Sequence, residues 1–483
     1  IAMDLIGYNA IAIGNHDFDF GPDVLADFIE GFTFSKPPFL SVNLDFSAEP
    51  RLQALKNQKR IASSTTVKTP AGRVGIIGAT TPMLSYISSP RNVVVNDMVV
   101  EAIMAEVQHL QSMKINKIIL ISHLQSISED LSMVPYLSGI DIIIAGGGDE
   151  VLANAGDLLV PGDETRIFGP YPLWATDSSG VQVPVVTTAG SYAYVGKLVA
   201  GFDKAGNLLA IDESQSGPVR VAGGNQPDAV PPDEVVQSEV VEPLIAALNG
   251  MAMNVVGSSE VPLDGTRTNI RSRETNLGNL TTDSLLWQAT ELAGVYGVGT
   301  PQVALQNGGG IRNNSIIPAG SITELTTFSI LPFPNFVSIV EGVSREQFKE
   351  ILENAVSRVE FGDGRFAQIA GFRFTWDPAG TAQVLDGDGN VVTVGSRVVD
   401  VFLDDGTPLV VGGSVIPGPD LTVATIDFLA RSGDQYPFRG LPFTTVGVTY
   451  QQSLRNYIEF GLGGIITAAE YPEGGEGRIT RLP

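Results

Sequence analysis

The sequence has no cysteine. That absence excludes a disulfide framework, thiol chemistry and thiolate-ligated zinc. Histidine is scarce, at 3 residues in 483, so any imidazole chemistry falls to His16, His109 or His123. Positive charge is the minority sign: 29 Lys and Arg stand against 53 Asp and Glu, a formal net charge of −24. Such a surface argues against nucleic acid or an anionic membrane as the main partner, since both are held by basic patches. It still allows a small phosphorylated substrate held by a local positive pocket or by metal ions. Long apolar runs are also missing. None reaches the roughly 18 residues that a membrane-spanning helix needs, and residues 118–121 are the length of a strand.

What is present is a chain that is 43% apolar and 17% charged, with Gly 54 and Pro 30. This is the composition of a loop-rich globular protein of two or three domains. An acidic, cysteine-free composition fits a bacterial protein exported to the periplasm or beyond. Residues 1–6 read as a helix already inside a domain, with no signal peptide. The expectation is an N-terminus that is incomplete or processed.

The first 200 residues alternate β-rich runs with helical patterns, the signature of an α/β domain. Strands are expected at 10–13, 39–42, 74–77, 117–121, 142–144 and 185–188. Residues 98–114 are amphipathic, with Val100, Ile103, Val107 and Leu110 on one stripe. Pro227, Pro231 and Pro232 mark a linker, and residues 233–253 read as a helix interrupted by Pro243. Beyond it a second α/β region contains a helix opening at Ser344, with Gln347 completing a capping box, and hairpins over 381–417 with a turn at 386–390.

Ligand sites of open α/β sheets lie outside the carboxyl ends of the strands. Asn15, His16, His123 and the turn at 146–150 each follow a strand, so they could share one crevice. Asn15 offers an amide oxygen, a donor suited to hard cations. His16 can give a proton or hydrogen bond to a leaving oxygen, and Asp19, three residues on, can orient and charge it. Neutral imidazole at His123 could ligate a metal. His109, in mid-helix, reads as a surface or half-buried residue.

Gly14-Asn15-His16-Asp17, extended through Gly21, resembles the signature of calcineurin-like metallophosphoesterases in the 5′-nucleotidase branch. Four further segments are similar to the C-terminal domain of that family: Glu274-Thr275-Asn276-Leu277-Gly278-Asn279-Leu280, Asn307-Gly308-Gly309-Gly310-Ile311-Arg312, Leu331-Pro332-Phe333-Pro334-Asn335 and Gly364-Arg365-Phe366-Ala367-Gln368. A fifth, residues 428–436, is similar as well. The resemblance implies a two-domain α/β protein: a β-sandwich metallophosphoesterase domain flanked by helices (1–230, lacking its first strands), a linker helix (231–256) and a mixed α/β nucleotide-binding domain (257–483). It implies two divalent ions, Mn, Mg, Ca or Zn, and hydrolysis by metal-activated water. Carried over, His16 and Asp19 are catalytic, and Asn15 and His123 are metal ligands. Arg267, Arg271 and Arg312 face phosphate or ribose. Phe333 and Phe428 sandwich the base, while Asn307, Asn335 and Asp434 complete the substrate contacts.

Two departures stand out. The family's Asp-x-His and Gly-Asp motifs should lie before Ile1. Its Gly-Gly-His-x-His/Gln motif reads Ala145-Gly146-Gly147-Gly148-Asp149-Glu150 here. Asp149 and Glu150 are the candidate replacement ligands and would favour harder ions. The expected activity is hydrolysis of 5′-nucleotides or related phosphate esters. The alternatives are a broad phosphatase or cyclic-nucleotide phosphodiesterase, and a catalytically altered homologue reused as an extracellular structural or assembly subunit. Oligomeric state is left open.

Overall fold

The apolar runs of the first half are short and rich in isoleucine and valine, as strands buried on both faces require. In the computed structural model, which describes residues 1–70, 72–387 and 389–483, they form the centre of the first of two units, Ile1–Pro243 and Leu244–Pro483. A six-stranded sheet runs in the order Leu173–Thr176, Gln182–Val186, Ile142–Ile144, Ile118–His123, Gly72–Thr80, Ser64–Thr69. Its four central strands are parallel and its two edge strands antiparallel. A second, parallel sheet joins Ile11–Ala12, Phe39–Leu40 and Ile61–Ala62. The parallel strands of each sheet present their carboxyl ends at one edge.

The helix Val99–Ser112 packs on the larger sheet through Val99, Ile103, Val107 and Leu110. Val100, expected on that stripe, is only half-buried. The buried set is spaced i, i+4, i+8, i+11, with Val100 at the margin of that face and packed against the same core.

In the second unit a five-stranded sheet runs Ala367–Ala370, Val303–Asn307, Leu421–Ile426, Phe336–Val343, Phe443–Thr449. The helix Asn276–Tyr296 packs on it. The helix Arg345–Ala355 does start at Ser344, whose Oγ accepts from Gln347 N–H at 3.1 Å. The Gln347 side chain leaves the cap, however, and donates to the carbonyls of Pro437 and Phe438. With its Nε2 held by these two carbonyls, the Gln347 amide is turned from the cap.

Residues 234–253 are helical without a break: Glu234–Val236, a π-helical stretch Gln237–Val241, then Glu242–Met253. The expected interruption at Pro243 is absorbed by that wider turn, a local adjustment that accommodates a missing N–H. Asp386 accepts from Asn390 N–H at 2.8 Å in the expected turn, while Asp388 lies outside the described residues. Among the described residues no helix is long and apolar enough to cross a membrane.

Candidate active site

A single turn, His16–Phe18, follows the strand Ile11–Ala12. That turn brings residues three apart together, so His16 Nδ1–H donates to Asp19 Oδ2 at 2.7 Å. Ser88 Oγ donates to the other Asp19 oxygen at 2.9 Å and holds the carboxylate in place. His16 itself is 59% exposed. Asp17 turns inward, and its carboxyl accepts from Gly14 N–H at 2.7 Å. Burial pushes that carboxyl up to about 6.

Asn15 Oδ1 and His123 Nε2 face each other at 3.0 Å, although 108 residues separate them. Asn15 is buried, and its oxygen also accepts from Gln125 Nε2 at 3.1 Å. Burial, and then the charge on His16, push His123 down to about 4, so its imidazole is neutral. The ring lies between two backbones. A Cβ on Gly14 would stand 2.6 Å from it, and one on Gly147, 3.0 Å. Gly14→Ala should therefore force the imidazole from its seat and cost about 1–3 kcal/mol of stability. Urea unfolding measures this directly, and an unchanged midpoint would show that the ring can yield.

His16 and His123 line one cleft of about 840 Å³ together with Gly146, Gly147, Thr187 and Tyr192. Asp149 and Glu150 line a hollow with Thr165, Arg166, Ile167 and Phe168, and Asp149 stands beside Gly190, which lines the cleft of His16 and His123. Gly147 takes φ +92°, and Glu150 Oε1 accepts from Ile127 N–H at 3.2 Å.

The donors present can be tested against a divalent ion. Two ligands about 2.1 Å from one ion and at right angles stand about 3 Å apart, so Asn15 Oδ1 and neutral His123 Nε2 fit one ion as adjacent ligands. They bring no negative charge. Among the described residues no group of three or more His, Asp and Glu side chains converges as a metal site.

Sequence reasoning missed two residues here. Ser88 secures Asp19, and Gln125, at φ +117°, buttresses Asn15. Neither sits in a local pattern; only the position of Gln125 two residues past His123 at a strand end could have flagged it.

In the second unit the strand Val303–Asn307 runs into the turn Gly308–Gly310. A Cβ on Gly308 would lie 2.5 Å from the Ile270 carbonyl, so glycine is required there; one on Gly310 would lie 2.3 Å from Gln306 Nε2 and displace that side chain. Asn307 Nδ2 donates to Asp434 Oδ2 at 2.6 Å. Arg271 is buried; it donates to the Gly362 carbonyl at 3.2 Å, and its Nε has no partner among the described residues. Burial first, and then the charges of Arg267 and Arg312, bring its guanidinium down to about 10. Arg312 lies over the Phe333 ring, 5.5 Å from its centroid. Phe333 and Phe428 are both half-buried against the core, and Gly433 lies on the face of Phe428. Asn335 accepts from Tyr450 N–H through its backbone carbonyl at 2.9 Å. Arg267 is exposed at the head of the short helix Arg267–Ile270.

Desolvation pushes Asp434 up to about 6, with Asn307, Asp363, Arg365 and Arg271 around it. An unfolded aspartate titrates near 4. Between roughly pH 4 and 6 the folded state therefore holds the extra proton, and this group's contribution to stability falls as pH rises. Asp434→Asn should flatten that part of the profile and raise stability at neutral pH relative to the parent, read from urea midpoints on either side of the window.

Comparison with known proteins decides the family. Residues 255–439 match the family described as the 5′-nucleotidase C-terminal domain. A structure from Thermus thermophilus, a 5′-nucleotidase precursor, superimposes with a TM-score of 0.75 at 32% identity, covering 98% of this chain and 84% of that one. The chain belongs to the 5′-nucleotidase family. Other relatives are a trifunctional nucleotide phosphoesterase of Bacillus subtilis, 29% identical over 90% of this chain, and the 5′-nucleotidase of Mus musculus, 27% identical over 78% of it. The chain spans 28% and 62% of the length of these two curated relatives. The two-domain α/β architecture is that of the family, with the metallophosphoesterase part first.

Proposed function

We propose that the protein is an exported, metal-dependent phosphoesterase that hydrolyses 5′-nucleotides or related phosphate esters. The observation that carries this reading is the constellation at one cleft: an exposed imidazole held by Asp19 at 2.7 Å, beside the paired donors Asn15 and His123. Phosphoryl transfer depends on positioning and on neutralising charge at the phosphoryl oxygens. His16, oriented by Asp19, stabilises charge on the phosphoryl group or gives its proton to the leaving oxygen. Asn15 and His123 hold a divalent ion, Mn, Mg, Ca or Zn, which supplies Lewis-acid stabilisation when bound. In the second unit Arg267, Arg271 and Arg312 offer forked donors suited to phosphate or ribose oxygens. Phe333 and Phe428 take the base by its faces, and Asn307, Asn335 and Asp434 bond its edge or the ribose. Export is supported by the acidic, cysteine-free composition and by the Thermus relative, itself a precursor.

One observation favours a second reading, a catalytically altered homologue: Asp149 and Glu150 stand where the family resemblance implies His or Gln ligands. Phosphate release from AMP by chelated protein, with each of the four ions added back, tests both. Activity restored by one ion supports the phosphoesterase. A folded protein inactive with every ion supports the altered homologue.

A further inference from the structure

Among the described residues, consecutive non-glycine residues hold left-handed backbone at two places: Asp434–Gln435, which follow Ser432 and Gly433, and Ser191–Tyr192. Such conformations are strained, and they persist where surrounding structure enforces them, often at functional sites. The first pair includes a residue already read as a substrate contact. The second has no role so far.

Ser191 and Tyr192, at φ 63° and 56°, lie beyond the carboxyl end of the strand Gln182–Val186. That strand is parallel to Ile142–Ile144, which is parallel to the strand that ends at His123. The turn therefore stands at the edge of the sheet that carries the site, and Tyr192 lines the same cleft as His16 and His123. The turn is anchored from both sides. Ala193 N–H donates to the Gly190 carbonyl, and Val221 N–H to the Ala193 carbonyl at 2.8 Å. Gly190 is pressed against Asp149, whose Oδ1 would be 2.5 Å from a Cβ there. Between these anchors Tyr192 is 86% exposed. A strained backbone thus presents a large, uncovered aromatic ring to the cleft.

We propose that Tyr192 is a substrate-binding residue, whose ring packs against the leaving-group side of a phosphate ester bound at His16. The proposal rests on the phosphoesterase reading. It concerns the part of the leaving group next to phosphorus, so it applies alike to nucleotides and to small aliphatic esters. The ring acts, not the hydroxyl.

Steady-state kinetics of the full chain with AMP and with β-glycerophosphate test this. Tyr192→Ala should raise KM for both esters about tenfold, the loss of one well-packed aromatic contact, with kcat within twofold. Tyr192→Phe should keep the parent KM. Tyr192→Gly should share the KM defect and yet melt at a higher temperature, because glycine relieves the backbone strain. A merely structural tyrosine would give a lower melting temperature. Unchanged KM in Tyr192→Ala, or an equal defect in Tyr192→Phe, would overturn the assignment while the parent enzyme remains active. A parent chain that releases phosphate from neither ester with any ion removes the phosphoesterase reading, and Tyr192 with it.

Discussion

Turnover of AMP should fall about 10²–10⁴-fold when His16 is replaced by alanine, the usual range for losing a positioned acid–base group. The change should appear in kcat. Folding should be unaffected, since the side chain is largely exposed and its bond to Asp19 lies at the surface of the cleft. Asp19→Asn should lower kcat less: an amide oxygen can still accept from Nδ1–H but no longer favours the charged ring. Saturating kinetics with AMP and a circular dichroism spectrum are sufficient. Normal turnover in His16→Ala would remove His16 from the mechanism.

Phe428→Ala should raise KM for AMP about 10- to 100-fold, the effect of one base–aromatic stack, and leave KM for β-glycerophosphate near the parent value. The contrast between substrates carries the argument, because general damage to the unit would affect both. Gly433, which lies on the ring, keeps one face of Phe428 sheltered. Equal shifts for the two esters would contradict stacking of the base at this ring. The two variants also separate the units: His16 belongs to the first and Phe428 to the second.

Local parts of the fold and site were legible in the sequence, and distant parts only by rule. His16 and Asp19 sit three residues apart, so any turn there pairs them. Asn15 and His123 are 108 residues apart, and the rule that sites lie beyond strand ends, with the family resemblance, placed them together. For Asp149 and Glu150 the rule says less: it knows where a strand ends, but not that Gly147 takes a positive φ or that Glu150 meets the Ile127 N–H. Ser344 was readable as a cap, whereas the partners of Gln347 were not, because they lie about 90 residues away. The amphipathic stripe was legible too: Val100 packs at its margin, and Val99, about 100° round the helix, closes its other side. Gln125 and Ser88 were invisible because each acts on a residue far from itself or through backbone geometry that no composition encodes.

The helix between Glu234 and Met253 has one more consequence. Asp233 caps it with bonds to Val235 and Val236 N–H, but none of its residues is buried. Most helical stability in proteins comes from a packed apolar face, and this helix has none. Its amides should therefore exchange with solvent deuterium by local opening, long before those of the helix Asn276–Tyr296, which is pinned to a sheet. In hydrogen-exchange terms the chain should contain two slow bodies and one fast segment joining them. The fast segment should report its own local free energy rather than that of global unfolding.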